Sequence, residues 1–170
     1  YHMSITIVRH GESEWNKKNL FTGFMDIDLS DTGIKEAEDC GNELNEKYDI
    51  AFTSDLQRAY KTCNIICSML NSDIEVIRSK DLKERDYGDL TGKNKKETAK
   101  IYGEEQVQLW RRSVDVRPPN GENLHDVIDR VKLYFDKEIK AHLDNGKNIL
   151  LVAHGNSCLL YTSDAADDKQ

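Results

Sequence analysis

Two short segments at opposite ends of the chain carry similar chemistry: Arg9-His10-Gly11-Glu12 and Ala153-His154-Gly155-Asn156. An imidazole nitrogen attacks phosphorus readily, and an arginine forks onto phosphate oxygens, so His10 beside Arg9 is suited to take up a phosphoryl group. The adjacent glycine lets the backbone approach that group closely. The alternative for the tetrapeptide taken alone is a capped turn holding an ordinary histidine. Two further segments add weight: Ser54-Asp55-Leu56-Gln57-Arg58-Ala59 brings Arg58, and Leu82-Lys83-Glu84-Arg85-Asp86-Tyr87-Gly88 brings Glu84. Two histidines, several arginines and a carboxylate are what phosphoryl transfer through a phosphohistidine needs.

These groups have to be positioned by the elements around them. Ser4 to Val8 alternates and is β-branched, which predicts a strand with Arg9 to Glu12 as the loop at its carboxyl end. Ser30 offers an N-cap for a helix with Ile34, Ala37, Gly41 and Leu44 as its apolar stripe, ending near Tyr48. Asp49 to Thr53 predicts a second strand. Ser54 or Asp55 could cap the next helix, with apolar positions from Leu56 to Leu70. Ile74 to Ile77 predicts a third strand, and 94–110 one or two helices broken near Gly103. Pro118-Pro119-Asn120-Gly121 stops helix propagation, and 121–143 has helical apolar spacing. Ile149 to Ala153 is a continuous apolar run, the pattern of a central strand covered on both faces. Strands alternating with helices imply an α/β fold: three layers, with a mainly parallel sheet flanked by helices and ligands gathering outside the carboxyl ends of the strands. His10 and His154 both fall at such ends.

In this order the motifs RHGESEWN (9–16), FTG (21–23), DLS (28–30), TSDLQRA (53–59), LKERDYGDLTGKNK (82–95), YGEEQVQLWRRS (102–113), PPNGENL (118–124) and AHGNS (153–157) resemble the histidine phosphatase superfamily, and within it the cofactor-dependent phosphoglycerate mutases. The resemblance implies His10 as the phosphorylated nucleophile and Glu84 as proton donor and acceptor. Arg9, Arg58 and His154 would hold the transferring phosphoryl. Ser13, Asn16, Thr22, Gly23, Gly155 and Asn156 would supply hydroxyl, amide and backbone contacts to it or to the substrate. Arg85, Tyr87, Lys95, Arg111 and Arg112 would grip the substrate carboxylate and its second phosphate. It implies phosphoglycerates as substrates, 2,3-bisphosphoglycerate as primer, no metal, and a homodimer or homotetramer. Arg111-Arg112 separates a mutase from a plain phosphatase, because a doubly phosphorylated intermediate must be retained while it reorients. The bland alternative for that pair is a surface helix pairing with Glu104 or Glu105.

Composition narrows the partners. The 170 residues carry a formal charge of −7, and five of the eight arginines fall in or beside the motifs above, which favours a small anionic ligand over nucleic acid. Apolar runs of four or five residues fall far short of the ~20 needed to cross a bilayer. No secretory signal opens the chain and the four cysteines show no disulfide density, so a reducing cytoplasm is expected. Cys63 and Cys67 read as core thiols rather than a metal site, and Trp15 and Trp110 as packing groups. Tyr1 and His2 read as a leftover of expression, making 3–157 one catalytic domain. The short stretch between Arg117 and Gly121 reads as a compact variant. Beyond Ser157 the motifs stop, and 158–170 reads as an atypical tail left by truncation. The competing functions are a phosphatase of small phosphate esters and an inactive remnant that binds phosphorylated metabolites.

Overall fold

The computed structural model describes residues 4–70 and 73–156. The tail reading, Ser157 included, therefore lies outside the described residues. Four strands, β1 (Ser4–Arg9), β2 (Ile50–Ser54), β3 (Glu75–Ser79) and β4 (Asn148–Ala153), form one sheet in the order β1-β4-β2-β3, every neighbour parallel. The last strand thus sits between the first and second, and Ile149 to Ala153 is fully buried, as its unbroken apolar run predicts.

Side chains alternate across that sheet. Ile50, Phe52, Ile149 and Leu151 face α6 (Leu124–Tyr134) and the π-helical turn Phe135–Ile139 that joins it to α7 (Lys140–Asp144). Ala51, Leu150 and Val152 face the opposite way and pack with Cys63 and Ile66 of α3 (Gln57–Met69), with Cys40 of α2 (Asp31–Glu43) at the margin. The result is the expected three layers. A separate cluster of Phe21, Leu90, Val107 and Trp110 anchors the paired helices α4 (Lys95–Tyr102) and α5 (Glu104–Arg112) away from the sheet. Gly103, at φ 92°, makes the break between them. A short helix α1 (Glu14–Lys17) follows the first loop.

Three local expectations need correction. Of the expected stripe in α2, Ala37 and Gly41 are buried, but Ile34 is 39% exposed and Gly33 is buried instead, pressed against the Glu12 backbone. That helix also ends at Glu43 rather than near Tyr48, whose hydroxyl donates to Thr6 Oγ1 at 2.9 Å. The start of α3 is capped from a distance: the Gln57 amide donates to Asp26 Oδ1 at 2.7 Å, while Leu56 occupies the N-cap position. Among the described residues no helix is long and apolar enough to cross a membrane.

Candidate active site

The ends of β1 and β4 lie side by side, with Arg9 paired to Ala153 and the His10 amide donating to the Ala153 carbonyl at 3.0 Å. Parallel register therefore brings together two histidines 144 residues apart in sequence. Their rings meet edge to face, centroids 4.9 Å apart. His10 Nδ1 lies 2.6 Å from the Gly11 carbonyl oxygen. A carbonyl only accepts, so Nδ1 carries the proton and Nε2 keeps its lone pair. Burial, with Arg58 and Arg9 nearby, lowers His10 to about 3 and keeps the ring neutral. His154 is fully buried, its Nε2 2.7 Å from Ser54 Oγ, and burial followed by His10 and Arg58 holds it well below the ordinary range.

The loop carrying His10 is braced on two sides. The Gly11 amide donates to Thr62 Oγ1 at 3.1 Å, and that hydroxyl donates to the Arg58 carbonyl one turn earlier in α3. On the other side Ser30 Oγ donates to Glu12 Oε1 at 2.8 Å and caps α2 through the Gly33 amide. Gly11 and Gly33 face each other so closely that a methyl group on either would overlap the other segment's backbone.

Above the histidines opens a cleft of about 250 Å3, lined by Arg9, His10, Asn16, Leu20, Thr22, Gly23, Arg58, Glu84, Tyr87, Lys95, Arg111, Arg112, Gly155 and Asn156. Five cations surround a single carboxylate in a chain whose overall charge is −7. Burial, with Arg111 and Arg9 close by, pushes the Lys95 ammonium down. An anion entering the cleft relieves that repulsion. Burial, with Glu84 adding to it, pushes the Tyr87 phenol up. Glu84 Oε1 accepts from the Arg85 amide at 2.9 Å and from Asn156 Nδ2 at 3.0 Å.

Thirteen of the sixteen expected site residues line this cleft; His154 packs against the His10 ring without lining it, and Arg85 and Ser13 are directed elsewhere. Arg85 is fully buried, its guanidinium donating to the carbonyls of Glu122 (2.6 Å), Arg111 (3.0 Å) and Val116 (3.4 Å). It binds three chain segments behind the site and has no free face for a substrate carboxylate. Ser13 is also fully buried and caps α1, its hydroxyl accepting from the Asn16 amide at 3.1 Å. Arg58 reaches the cleft while donating to the Met25 and Gly23 carbonyls at 2.6 and 2.7 Å; burial lowers it to about 10, leaving it charged at neutral pH.

Sequence reasoning missed several supporting residues. Ser54 and Thr62 were within reach of it: one ends a strand inside a motif, the other lies one helical turn after Arg58. Arg130 gave no signal, being one charge on an amphipathic helix. It donates to the carbonyls of Asp81, Lys83 and Glu84 and pairs with Glu122 at 2.9 Å, fixing the loop that presents Glu84. The bland readings of the remaining residues agree with what is seen. Trp110 packs in the Phe21 cluster, and the Cys63 and Cys67 sulfurs lie 4.0 Å apart inside α3.

A parallel α/β sheet with two histidines meeting at its carboxyl edge, under a cationic cleft, defines a class before any comparison is made. The chain belongs to the histidine phosphatase superfamily (branch 1), whose model matches residues 5–168 and so runs past Ser157, where the motifs end. It is 54% identical over 157 residues to the phosphoglycerate mutase of Schizosaccharomyces pombe, covering 90% of this chain and 74% of that protein. It is 51% identical over 158 residues to the 2,3-bisphosphoglycerate-dependent phosphoglycerate mutase of Mesorhizobium japonicum, covering 91% and 77%. Among solved structures, the fold matches a phosphoglycerate mutase from Bacillus anthracis with a TM-score of 0.79 at 24% identity, over 95% of this chain and 80% of that one. It also matches mycobacterial hydrolase 1 with a TM-score of 0.81 at 22% identity, over 93% and 76%.

Proposed function

We propose that this protein is a phosphoglycerate mutase, interconverting 3-phosphoglycerate and 2-phosphoglycerate through a phosphohistidine on His10. The observation that carries this reading is His10 itself: neutral, with Nδ1 tied to the Gly11 carbonyl, on the floor of a cleft where five cations meet one carboxylate. Relatives about 50% identical carry that enzyme's name.

In the forward direction the free hydroxyl of 3-phosphoglycerate attacks phospho-His10. A P–O bond forms, the P–Nε2 bond breaks, and the hydroxyl proton passes to Glu84. The product is 2,3-bisphosphoglycerate. After it reorients, His10 Nε2 attacks the other phosphate, and Glu84 returns the proton to the departing alkoxide, releasing 2-phosphoglycerate. In this scheme Arg9 and Arg58, with His154 against the His10 ring, stabilise the charge that develops on the transferring group, and Lys95, Arg111 and Arg112 hold the remaining anionic groups. These side chains supply the positive charge, and the scheme includes no metal. A trace of 2,3-bisphosphoglycerate primes the cycle by phosphorylating His10.

Phosphorus NMR of 3-phosphoglycerate with enzyme, a trace of primer and a chelator tests this reading. A growing 2-phosphoglycerate signal that His10→Ala abolishes is expected. Release of inorganic phosphate alone would make the protein a phosphatase, and binding without turnover would make it a receptor for phosphorylated metabolites.

A further inference from the structure

The two carboxylate oxygens of Glu84 have different surroundings. Oε1 accepts two hydrogen bonds, from the Arg85 amide at 2.9 Å and from Asn156 Nδ2 at 3.0 Å. Oε2 turns toward Gly155 and the Arg9 guanidinium: a methyl group on Gly155 would lie 4.0 Å from Oε2 and 3.6 Å from Arg9 Nε. Arg130 holds the Lys83 and Glu84 carbonyls at 3.0 and 3.2 Å and so fixes the backbone from which this carboxylate extends.

We propose that Oε2 alone carries the proton moved by Glu84, and that the Asn156 side chain is the positioning group that reserves it for that task. This rests on the acid–base role given to Glu84 above. In one half-reaction the attacking hydroxyl loses its proton to Oε2 as the P–Nε2 bond breaks. In the other, Oε2 gives that proton to the departing oxygen as P–Nε2 forms. Oε1 remains an acceptor throughout, since both of its partners are N–H donors and neither can accept a hydrogen bond from a protonated Oε1.

An amide suits this position better than a cation. Glu84 must be ionised in one half-reaction and protonated in the other. Lysine or arginine at 156 would favour the ionised form strongly, whereas a neutral donor fixes orientation with a smaller bias. Asn156 also hydrogen-bonds to Tyr87, so its own rotation is restrained. The charged and titratable groups around the carboxylate are Arg9, Arg58, Arg85, Lys95 and Tyr87, all unchanged in the variants below.

The test compares wild type, Asn156→Ala and Asn156→Asp by the pH dependence of kcat/KM, and by carbon-13 NMR titration of the glutamate carboxyl carbons, with Glu84→Gln identifying the Glu84 resonance. Losing the donor destabilises the ionised carboxylate. The acidic limb and the NMR midpoint should therefore both move to higher pH, by about one unit in Asn156→Ala and further in Asn156→Asp. A uniform loss of kcat with limb and midpoint unmoved would overturn the proposal and leave Asn156 a binding or packing residue. The isosteric Asn156→Asp and the NMR reading, which needs no turnover, keep the test decisive if Asn156→Ala folds poorly. If Glu84→Gln retained full activity, the acid–base assignment would fail at its root; if it lost activity while the Asn156 variants titrated like wild type, only the clamp would fail.

Discussion

The floor and the rim of the cleft are built differently. His10, Arg58 and His154 are buried, sit at the ends of β1 and β4 and on the first turn of α3, and are tied down by backbone hydrogen bonds, Ser54 and Thr62. Lys95 and Arg111 are half-buried and Arg112 is exposed; all three ride on α4 and α5, which pack on their own small core. Burial is what readies the floor for the proposed chemistry, because it keeps His10 neutral at neutral pH. Long cationic side chains in contact with water can follow an intermediate that turns over, which buried ones cannot. The proposed scheme assigns bond making to the floor and retention to the rim.

Substitutions separate these two duties. Glu84→Gln should lower kcat by about 10²- to 10⁴-fold, the usual contribution of a general acid–base group, in a single-turnover assay with phosphorylated enzyme. At the rim, Arg112→Met should raise KM for 3-phosphoglycerate about tenfold or more and increase the share of inorganic phosphate among the products. Its His10 phosphorylation by the primer should stay comparatively intact; if phosphorylation fell as far as turnover, rim and floor would not be separable. Gly33→Ala probes the brace under the floor, since a methyl there overlaps the Glu12 carbonyl. Overpacking predicts a loss of about 2 kcal/mol in urea unfolding, along with slower His10 phosphorylation.

A further expected effect is on the pH dependence of stability. His10 titrates near 6.5 when unfolded and about 3 when folded. Its contribution is complete above 6.5 and lost as pH falls toward 3, because the unfolded chain takes up the proton first. Asp126, lowered to about 2 by Arg117, adds a second loss that begins only below 3.8. Urea midpoints between pH 7.5 and 4.5 should decline, and His10→Gln should decline less; equal slopes would show that the floor histidine is not held neutral by burial.

Much of this was legible along the chain. Alternating and β-branched runs marked the strands, Ser30 the start of α2, and Gly103 the break between α4 and α5, because each depends on residues within a turn or two. Motif order picked out thirteen of the residues that line the cleft. Partner choice could not be read in the same way. Arg85 and Arg58 look like phosphate ligands in a sequence, yet each guanidinium is directed by carbonyls brought in from segments 26 to 37 residues away. Ser13 caps its own helix, and Arg130 acts on a loop 46 to 49 residues distant. The insertion of β4 between β1 and β2, which unites His10 with His154, is likewise a property of the assembled sheet. Local sterics and periodicity fix what each segment becomes. Which donor meets which acceptor is decided only when packing brings distant backbone together and burial requires every polar group to find a partner.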